Sequence, residues 1–379
     1  MENGVLGTKQ RDTYLDIAKA IGILMVIYAH VSLSGILYTT FYAFHIPLFF
    51  VVAGMTFNNK KHTSFKTFAA NKAKRLLLPY LIYSLATFAW WAWVEVPISG
   101  TLGGAGKTIF DSFIQIFLAQ GSLGYMTHNL ALWFVPCLFI AEIIYYFVNK
   151  LSKATKITIC VAFALLGWGI NILGQTHSWL INLPWSLEVA FSAQLFILIG
   201  DLMGSNGGRQ RIREHVTKFK IPYLIAIPFA CVALYCIAEL NINTSALIDP
   251  FAFAEMRVSM GSNALGNPLL FYFNAMLGVW IVLIISVLLE RLVMKRAEYG
   301  NSVLLWLGVN SYGLMCVHFP VKRRAIAFIA DLFRVSSSYA SYDLLYSFLA
   351  FIVTMLFSVI IVVVSDAFKQ AISIKEFRE

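Results

Sequence analysis

The chain has 379 residues, of which 59% are hydrophobic and 13% are charged, and its mean hydropathy is +0.74. Soluble domains carry roughly 25% charged residues, so a soluble globular protein is excluded. The net charge of +10 does not indicate nucleic-acid binding, because Lys and Arg collect in the cytoplasmic loops of membrane proteins. Charge is scarce along the whole chain, which predicts a single integral membrane domain over residues 1–379.

Apolar stretches long enough to cross a membrane recur along the chain, since a transmembrane helix needs about 20 mostly apolar residues. In chain order they are residues 14–35, 40–58, 77–97, 130–149, 156–174, 184–204, 222–240, 271–290, 302–321 and 343–366. Only helices and closed barrels can satisfy their backbone groups in lipid. The pattern therefore predicts an all-α polytopic membrane protein with about ten transmembrane helices.

Positively charged residues are distributed unevenly among the segments that join these stretches. With the N-terminus in the cytoplasm, the cytoplasmic segments hold 22 of the 29 Lys and Arg residues and the outer segments hold 6. Cytoplasmic loops carry the excess of Lys and Arg, so both termini are predicted to be cytoplasmic. The outer exception is KRRAIAF at 322–328, which either ends a helix or forms an amphipathic segment that meets an anionic substrate.

Three polar segments are expected to lie at the membrane surfaces. Residues 62–75 place Phe65 and Phe68 on one side and lysines on the other, which is typical of a helix lying at the inner surface. The outer segments 98–129 and 241–270 are long and contain Gly, Ser and Asn with some aromatic residues. Long segments of this kind are candidates for a lid or a substrate-facing surface.

The first apolar stretch, LDIAKAIGILMVIYAH, contains two ionisable residues, Lys19 and His30. Their spacing of 11 residues is three helical turns plus roughly 20°, so both side chains point the same way, about 16 Å apart along the axis. Ionisable groups in transmembrane helices are costly and usually face an interior cavity. The shared face predicts a cavity with a cation at its cytoplasmic mouth and an imidazole deeper inside.

Each of these two residues also has a simpler interpretation. Lys19 can extend to the inner interface and pair with Asp16, and His30 can bond to a neighbouring helix.

In a functional pair, His30 is suited to be a general base that deprotonates a hydroxyl, since imidazole titrates near neutral pH. A cation about 16 Å away is placed to hold a phosphate of a long donor, and coenzyme A has that shape.

The other His and Cys residues give no metal-binding pattern. The histidines toward the outer half are His30, His45, His128, His177 and His318, and no i, i+4 or H-E-x-x-H spacing is present. The five cysteines lie in apolar stretches and form no C-x-x-C pair. This favours packing roles over a disulfide framework or a zinc site, and no metal site is predicted.

Several segments occur in a recognisable order. They are LDIAKAIGILMVIYAH with its basic-x10-His spacing, FHIPLFFVVAGMTF, KAKRLLLPY, LWFVPCLF and WLGVNSYGLMCVHFP. In this order they resemble the membrane acyltransferase type 3 family, and within it the sugar O-acetylases similar to fucose 4-O-acetylase. The resemblance extends over most of the chain, although residues 156–300 contribute only PWSLEVAF and FILIGDLMG.

The resemblance implies an enzyme of the bacterial inner or plasma membrane. It implies transfer of an acetyl group from cytoplasmic acetyl-CoA to a sugar hydroxyl of a cell-surface or exported glycan, or of a lipid-linked sugar. Lys19 and His30 fill the basic–histidine pair, with His30 as the base or proton shuttle. Lys74 and Arg75 stand where the family keeps basic residues, on the phosphates of CoA. This chain has Lys where Arg is commoner at position 19, and Lys lacks the bidentate fork.

Further residues are predicted to bind the acceptor sugar: His45, Glu188, Ser311, Tyr312 and His318. Simpler interpretations exist for three of them. Glu188 can orient a histidine or be an interfacial acid, and Ser311 and Tyr312 can pack helices.

Two other classes of function compete with the acyltransferase. A transporter of a lipid-linked sugar or small metabolite would use Lys19 and His30 as a proton relay, but it predicts internal repeats with broken helices, and the sequence has no repeat of fixed period. A non-catalytic membrane scaffold does not explain the Lys19–His30 pair. The sequence therefore favours an O-acyltransferase.

Overall fold

The computed structural model describes residues 12–33, 35–58, 64–100, 102, 107–122, 124–174, 182–241, 258–296 and 302–376. Within these residues every long element is a helix, and β-type pairing is limited to one bridge between Ser259 and Ala264. The chain is an all-α polytopic membrane protein, as predicted.

The α-helices of the first half are α1 (Thr13–Val31), α2 (Gly35–Tyr42), α3 (His45–Met55), α4 (Phe65–Trp90), α5 (Val96–Ser99), α6 (Ile109–Leu118), α7 (Phe134–Val148) and α8 (Lys153–Gly174). Those of the second half are α9 (Leu187–Gly204), α10 (Gly208–Lys218), α11 (Lys220–Leu240), α12 (Pro268–Arg296), α13 (Val303–Val309), α14 (Ser311–Phe333), α15 (Ser337–Tyr342) and α16 (Leu344–Glu376).

The membrane spans agree in number with the predicted stretches. Among the described residues, nine helical segments are long and apolar enough to cross a membrane, and a tenth results if the bent pair α13–α14 counts as one span. Helices α2 and α3 join over Gly35–Met55, and α4 continues through a π-helical turn at Trp91–Glu95 into α5. The ninth stretch differs from expectation, because α13 and α14 meet at 85° and α14 continues to Phe333.

The segment predicted to lie along the inner membrane surface is not a separate helix. Helix α4 begins at Phe65, where the hydroxyl of Ser64 accepts from the backbone N–H of Thr67 at 3.2 Å. It continues into the third span without a break, and even Pro79 lies inside it. Residues 59–63 lie outside the described part. The helical prediction is correct for the described residues, but the predicted separation from the third span is wrong.

Helix α1 is the most enclosed of the described spans. Of its apolar window, 78% lies inside the protein, against 11% for α11. It contacts α3, α12, α13, α14 and α16, and α13 approaches so closely that a methyl group on Gly308 would collide with the backbone of Asp16. Because α1 is surrounded by protein, Lys19 and His30 can avoid lipid.

Helices α3 and α9 pack backbone against backbone. A methyl group on Gly54 would collide with the carbonyl oxygen of Ile197, and one on Gly200 would collide with that of Val51. Small residues of this kind let membrane helices approach closely. The contact fixes the positions of two helices that line the cavity described below.

Asn129 compensates for a proline inside α14. Pro320 has no N–H, so the carbonyl of Cys316, four residues earlier, loses its helical partner. The side-chain Nδ2 of Asn129 donates to this carbonyl at 2.7 Å. The bond fixes the segment that leads through a 3₁₀ helix at Leu130–Trp133 into α7.

The basic cluster KRRAIAF, at 322–328, lies within α14, which continues to Phe333. The cluster therefore does not end the helix. Its three cations each donate to another segment: Lys322 to the carbonyl of His30 at 2.8 Å, Arg323 to the carbonyl of Thr127, and Arg324 to Glu95 Oε1 at 2.7 Å. These contacts hold α14 against its neighbours and favour a structural role over a substrate-facing one.

Candidate functional site

A cavity of about 1300 Å³ runs through the helix bundle beside α1. Its wall on α1 extends from Asp12 to His30, a rise of about 27 Å in a hydrocarbon core of about 30 Å. Helices α3, α4, α7, α9 and α14 supply much of the remaining wall. We name the end at Asp12 the inner end, since loop charge predicts that it faces the cytoplasm, and the end at His30 the outer end.

Lys19 and His30 both line this cavity, as their spacing predicts. Lys19 Nζ also lies 2.6 Å from Asp16 Oδ1, so the predicted ion pair within one turn is present as well. The two interpretations of Lys19 are therefore compatible, because one side chain can pair with a carboxylate and still face the cavity.

The middle of the cavity has an apolar wall. Ile23 and Val26 of α1, Phe49 and Val52 of α3, and Leu138 of α7 line it. Such a wall holds little water, and electrostatic interactions are stronger where the local dielectric is low. The polar groups are thus concentrated toward the two ends.

The inner end is lined by Lys19, Lys72, Arg75, Lys153, Lys156 and Arg209. Four of these cations have a carboxylate partner: Lys19 with Asp16, Lys72 with Glu142 at 2.5 Å, Lys156 with Asp201 at 3.5 Å, and Arg209 with Asp12. Within the part of the chain that the structure describes, Arg75 and Lys153 have no such partner. Their charges are not neutralised locally, so these two side chains are available to bind an anion.

His30 is held by one turn of α14. Its carbonyl oxygen accepts from Lys322 Nζ at 2.8 Å. Its ring lies edge-on to the rings of His318 and Phe319, with centroid distances of 5.2 and 5.5 Å. The side chain is half-buried and lines the cavity, so a substrate in the cavity can reach the imidazole.

Ser311 and Tyr312 line the cavity where α13 and α14 meet. The hydroxyl of Tyr312 donates to the carbonyl of Leu76 at 2.8 Å, which ties the start of α14 to the turn of α4 that carries Arg75. Along α14 these residues lie about 10 Å from His318, on the side of the inner end.

Four of the predicted acceptor and donor ligands lie outside the cavity wall: Lys74, His45, Glu188 and His318. Lys74 is exposed on α4, since residues 72 and 75 share a helix face that residue 74 does not. His45 is buried, and its Nδ1 donates to the carbonyl of Phe41 at 2.6 Å. Glu188 is buried at the start of α9, where it accepts from the N–H of Leu183 at 3.1 Å. The structure therefore does not bring these side chains together with Lys19 and His30 in the cavity wall.

His318 also lies outside the wall, but directly beside His30. It is fully buried, and its Nδ1 donates to the carbonyl of Leu314 at 3.1 Å. Its ring contacts that of His30, and its role in binding the acceptor stays a prediction.

Several residues of the inner end are not indicated by the sequence pattern: Lys72, Glu142, Lys153, Lys156, Asp201 and Arg209. Glu142 carried a usable signal, because a carboxylate inside an apolar stretch is expensive and usually functional or paired. In the sequence, the lysines of α8 and Arg209 cannot be distinguished from other basic residues of cytoplasmic loops. Their approach to one cavity depends on how α4, α7, α8, α9 and α10 pack, which the local sequence does not encode.

The connection before α7 contains a third buried histidine, in addition to His45 and His318. His128 Nε2 lies 3.1 Å from the hydroxyl of Ser84. Burial, followed by the charge of Arg323, lowers the pKa of His128 from 6.5 to about 3. The residue is therefore neutral at pH 7 and joins α4 to the segment before α7.

Other sequence predictions can be placed only in part. His62, His177 and residues 242–257 of the outer segment 241–270 lie outside the described residues. Among those that are described, no group of three or more His, Cys, Asp or Glu side chains could hold a metal ion.

Comparison with known proteins gives one result. A family model described as an acyltransferase domain matches residues 12–363, nearly the whole chain and all of the helices that line the cavity. No curated protein and no solved structure matches the chain.

Proposed function

The chain belongs to this family of membrane acyltransferases, and on that premise we propose that it moves an acetyl group from cytoplasmic acetyl-CoA to a sugar hydroxyl. The acceptor is a cell-surface or exported glycan, or a lipid-linked sugar, and the enzyme acts in the bacterial inner or plasma membrane. The supporting observation is the single cavity that joins unpaired cations at the inner end to His30 at the outer end.

The donor binds by its phosphates at the inner end. Arg75 offers a planar fork that suits a phosphate, and Lys153 offers a compact point charge. Both lack a carboxylate partner among the described residues, so neither has to break an ion pair to bind. Lys19 lies farther along α1 and is paired with Asp16, so it offers an ammonium donor along the path toward His30 without adding net charge.

His30 acts as the general base at the outer end. It accepts the proton of the acceptor hydroxyl as the hydroxyl oxygen bonds to the carbonyl carbon of the thioester. The carbon–sulfur bond then breaks, and His30 returns the same proton to the sulfur of coenzyme A. The products are an O-acetyl sugar and the free thiol, so no oxidant or reductant is required.

The test compares the wild-type protein with His30→Ala in lipid nanodiscs, supplied with labelled acetyl-CoA and glycan extracted from the host. Wild type should release free coenzyme A thiol and label the glycan. His30→Ala should lose at least about 100-fold in rate, the usual lower range for a missing general base. Label transfer by His30→Ala at the wild-type rate would contradict the role of His30.

The same preparation separates the enzyme from a transporter. Proteoliposomes that move a lipid-linked sugar but release no thiol would support a proton relay at Lys19 and His30. The acceptor is identified by mass spectrometry of the host's surface glycans with and without the gene, where loss of one acetyl substituent is expected.

A further inference from the structure

His318 has a ring nitrogen whose bonding the proposed acyl transfer leaves unexplained. The carbonyl of Leu314 can only accept, so the bond at 3.1 Å places the ring proton of His318 on Nδ1. Nε2 then carries a lone pair and no proton. This atom is fully buried and has no hydrogen-bond partner among the described residues.

A buried acceptor without a partner is uncommon and costs free energy. The neighbouring ring that can supply a donor is His30, whose centroid lies 5.2 Å away at an angle of 62°. Nitrogens lie on the rim of each ring, so they can approach more closely than the centroids do. A neutral imidazole always carries one N–H donor and one acceptor.

We propose that a small rotation of the two contacting rings lets Nε2 of His318 accept a hydrogen bond from a ring N–H of His30. The bond selects one tautomer of His30 and leaves its other nitrogen free to take the proton of the acceptor hydroxyl. His318 is thus a positioning residue that acts through His30. The catalytic effect of this hydrogen bond rests on the proposed function. The existence of the hydrogen bond does not depend on that function.

The backbone around His30 is consistent with this role. Lys322, one turn after His318, holds the carbonyl of His30 at 2.8 Å. Asn129 holds the carbonyl of Cys316 in the turn that contains His318. Both imidazoles are therefore carried by fixed backbone, which is what a base needs to keep one orientation.

The same hydrogen bond can be kept when His30 is protonated and positively charged. After His30 accepts the hydroxyl proton, both of its nitrogens carry hydrogen. One N–H returns its proton to the sulfur of coenzyme A, and the other keeps its bond to Nε2 of His318. No proton is transferred to His318, so the atom balance of the acyl transfer is unchanged.

The test uses His318→Gln and His318→Met, which are similar in length and differ in the acceptor oxygen. The Met variant should lose about 100-fold in kcat, with the KM for acetyl-CoA within about twofold of wild type, because the inner end is unchanged. The kcat of the Gln variant should be at least about tenfold higher than that of the Met variant. Equal activity in the two variants would overturn the proposal.

A second measurement needs no substrate. Solid-state nitrogen-15 NMR of histidine-labelled protein in lipid reports the tautomer of His30, whose signals are identified by their loss in His30→Ala. We expect one tautomer in wild type and in His318→Gln, and a mixture in His318→Met. A single tautomer in all three would overturn the inference. If wild type transfers no acetyl group but the tautomer depends on residue 318 in this way, the pairing stands and the proposed function fails.

Discussion

Arg75 and Lys74 are adjacent in the chain, yet only Arg75 lines the cavity. The difference gives a matched test of the donor site. Arg75→Gln and Lys153→Gln should each raise the KM for acetyl-CoA about tenfold, since a charge-assisted hydrogen bond contributes roughly 1.5–3 kcal/mol. Steady-state kinetics with varied acetyl-CoA measures this.

Lys74→Gln is the control, because all three side chains are exposed but only Arg75 and Lys153 line the cavity. Its KM should stay within about twofold of wild type, since a screened surface charge contributes little. Equal increases in all three variants would show that the donor senses only the overall charge of the inner surface.

At His128 the structure predicts a pH-dependent stability. The pKa is 6.5 in a free histidine and about 3 here, so the unfolded chain binds a proton below pH 6.5 that the folded protein does not. Stability must therefore fall as the pH drops from about 6.5 toward 3. Near pH 5 this effect of His128 reaches at most about 2 kcal/mol.

His128→Gln removes the titrating group and keeps an amide that can bond Ser84. Thermal unfolding in detergent, followed at pH 7.5 and pH 5, should show a smaller loss of Tm for this variant than for wild type. A parallel loss in both proteins would mean that His128 does not titrate in the unfolded chain as expected.

At the scale of elements, the cavity depends on the close contact between α3 and α9. Gly54→Ala places a methyl group against the carbonyl oxygen of Ile197, and a backbone cannot yield as a flexible side chain can. We expect the helices to separate and Tm to fall, with a free-energy loss of about 1–3 kcal/mol, the range for overpacking.

Gly169→Ala in α8 is the matched control, since nothing lies within 4 Å of the added methyl group. Alanine also favours a helix over glycine by about 1 kcal/mol, so the Tm of this variant should hold or rise. If both variants behaved alike, helix propensity and not close packing would determine stability at these positions.

The whole molecule is predicted to keep both termini in the cytoplasm. Cysteines placed at Ser152 and Ser338, in a protein whose exposed Cys231 and Cys236 are replaced by Ala, test this orientation. A membrane-impermeant thiol reagent applied to intact cells or spheroplasts should label position 338 at once and position 152 only after permeabilisation. Labelling in the reverse order would place the inner end of the cavity outside the cell.

Most of the fold could be predicted from the sequence, because the signals that define transmembrane helices are local. Hydrophobic length defines a span, and each of the ten predicted stretches corresponds to a helical span, the ninth being bent. The separate surface helix at 62–75 was wrong, because a break between two helices needs a change of direction that amphipathic pattern alone does not reveal. The bend at Asn310 was likewise hidden within one apolar run.

Within the site, the spacing of Lys19 and His30 predicted their shared cavity, because one helix fixes both directions. The remaining wall could not be predicted in this way. Lys153 lines the cavity because other helices pack beside α8. Lys74 does not line it, because Lys74 lies on a different face of α4 from Lys72 and Arg75. His45 and Glu188 do not line this cavity, and each makes a hydrogen bond to a nearby backbone group; their binding roles stay predictions.

The sequence by itself determined that this chain is a multi-pass helical membrane protein and that one helix presents a cation and an imidazole on the same face. Both follow from hydropathy and from the helical period, which depend only on residues that are close together in the sequence. Only the tertiary structure decided which cations lack a carboxylate partner. It also decided that the ring of His318 contacts the ring of His30. Those facts depend on contacts between residues as far apart as His30 and Lys322, which arise only when the helices pack.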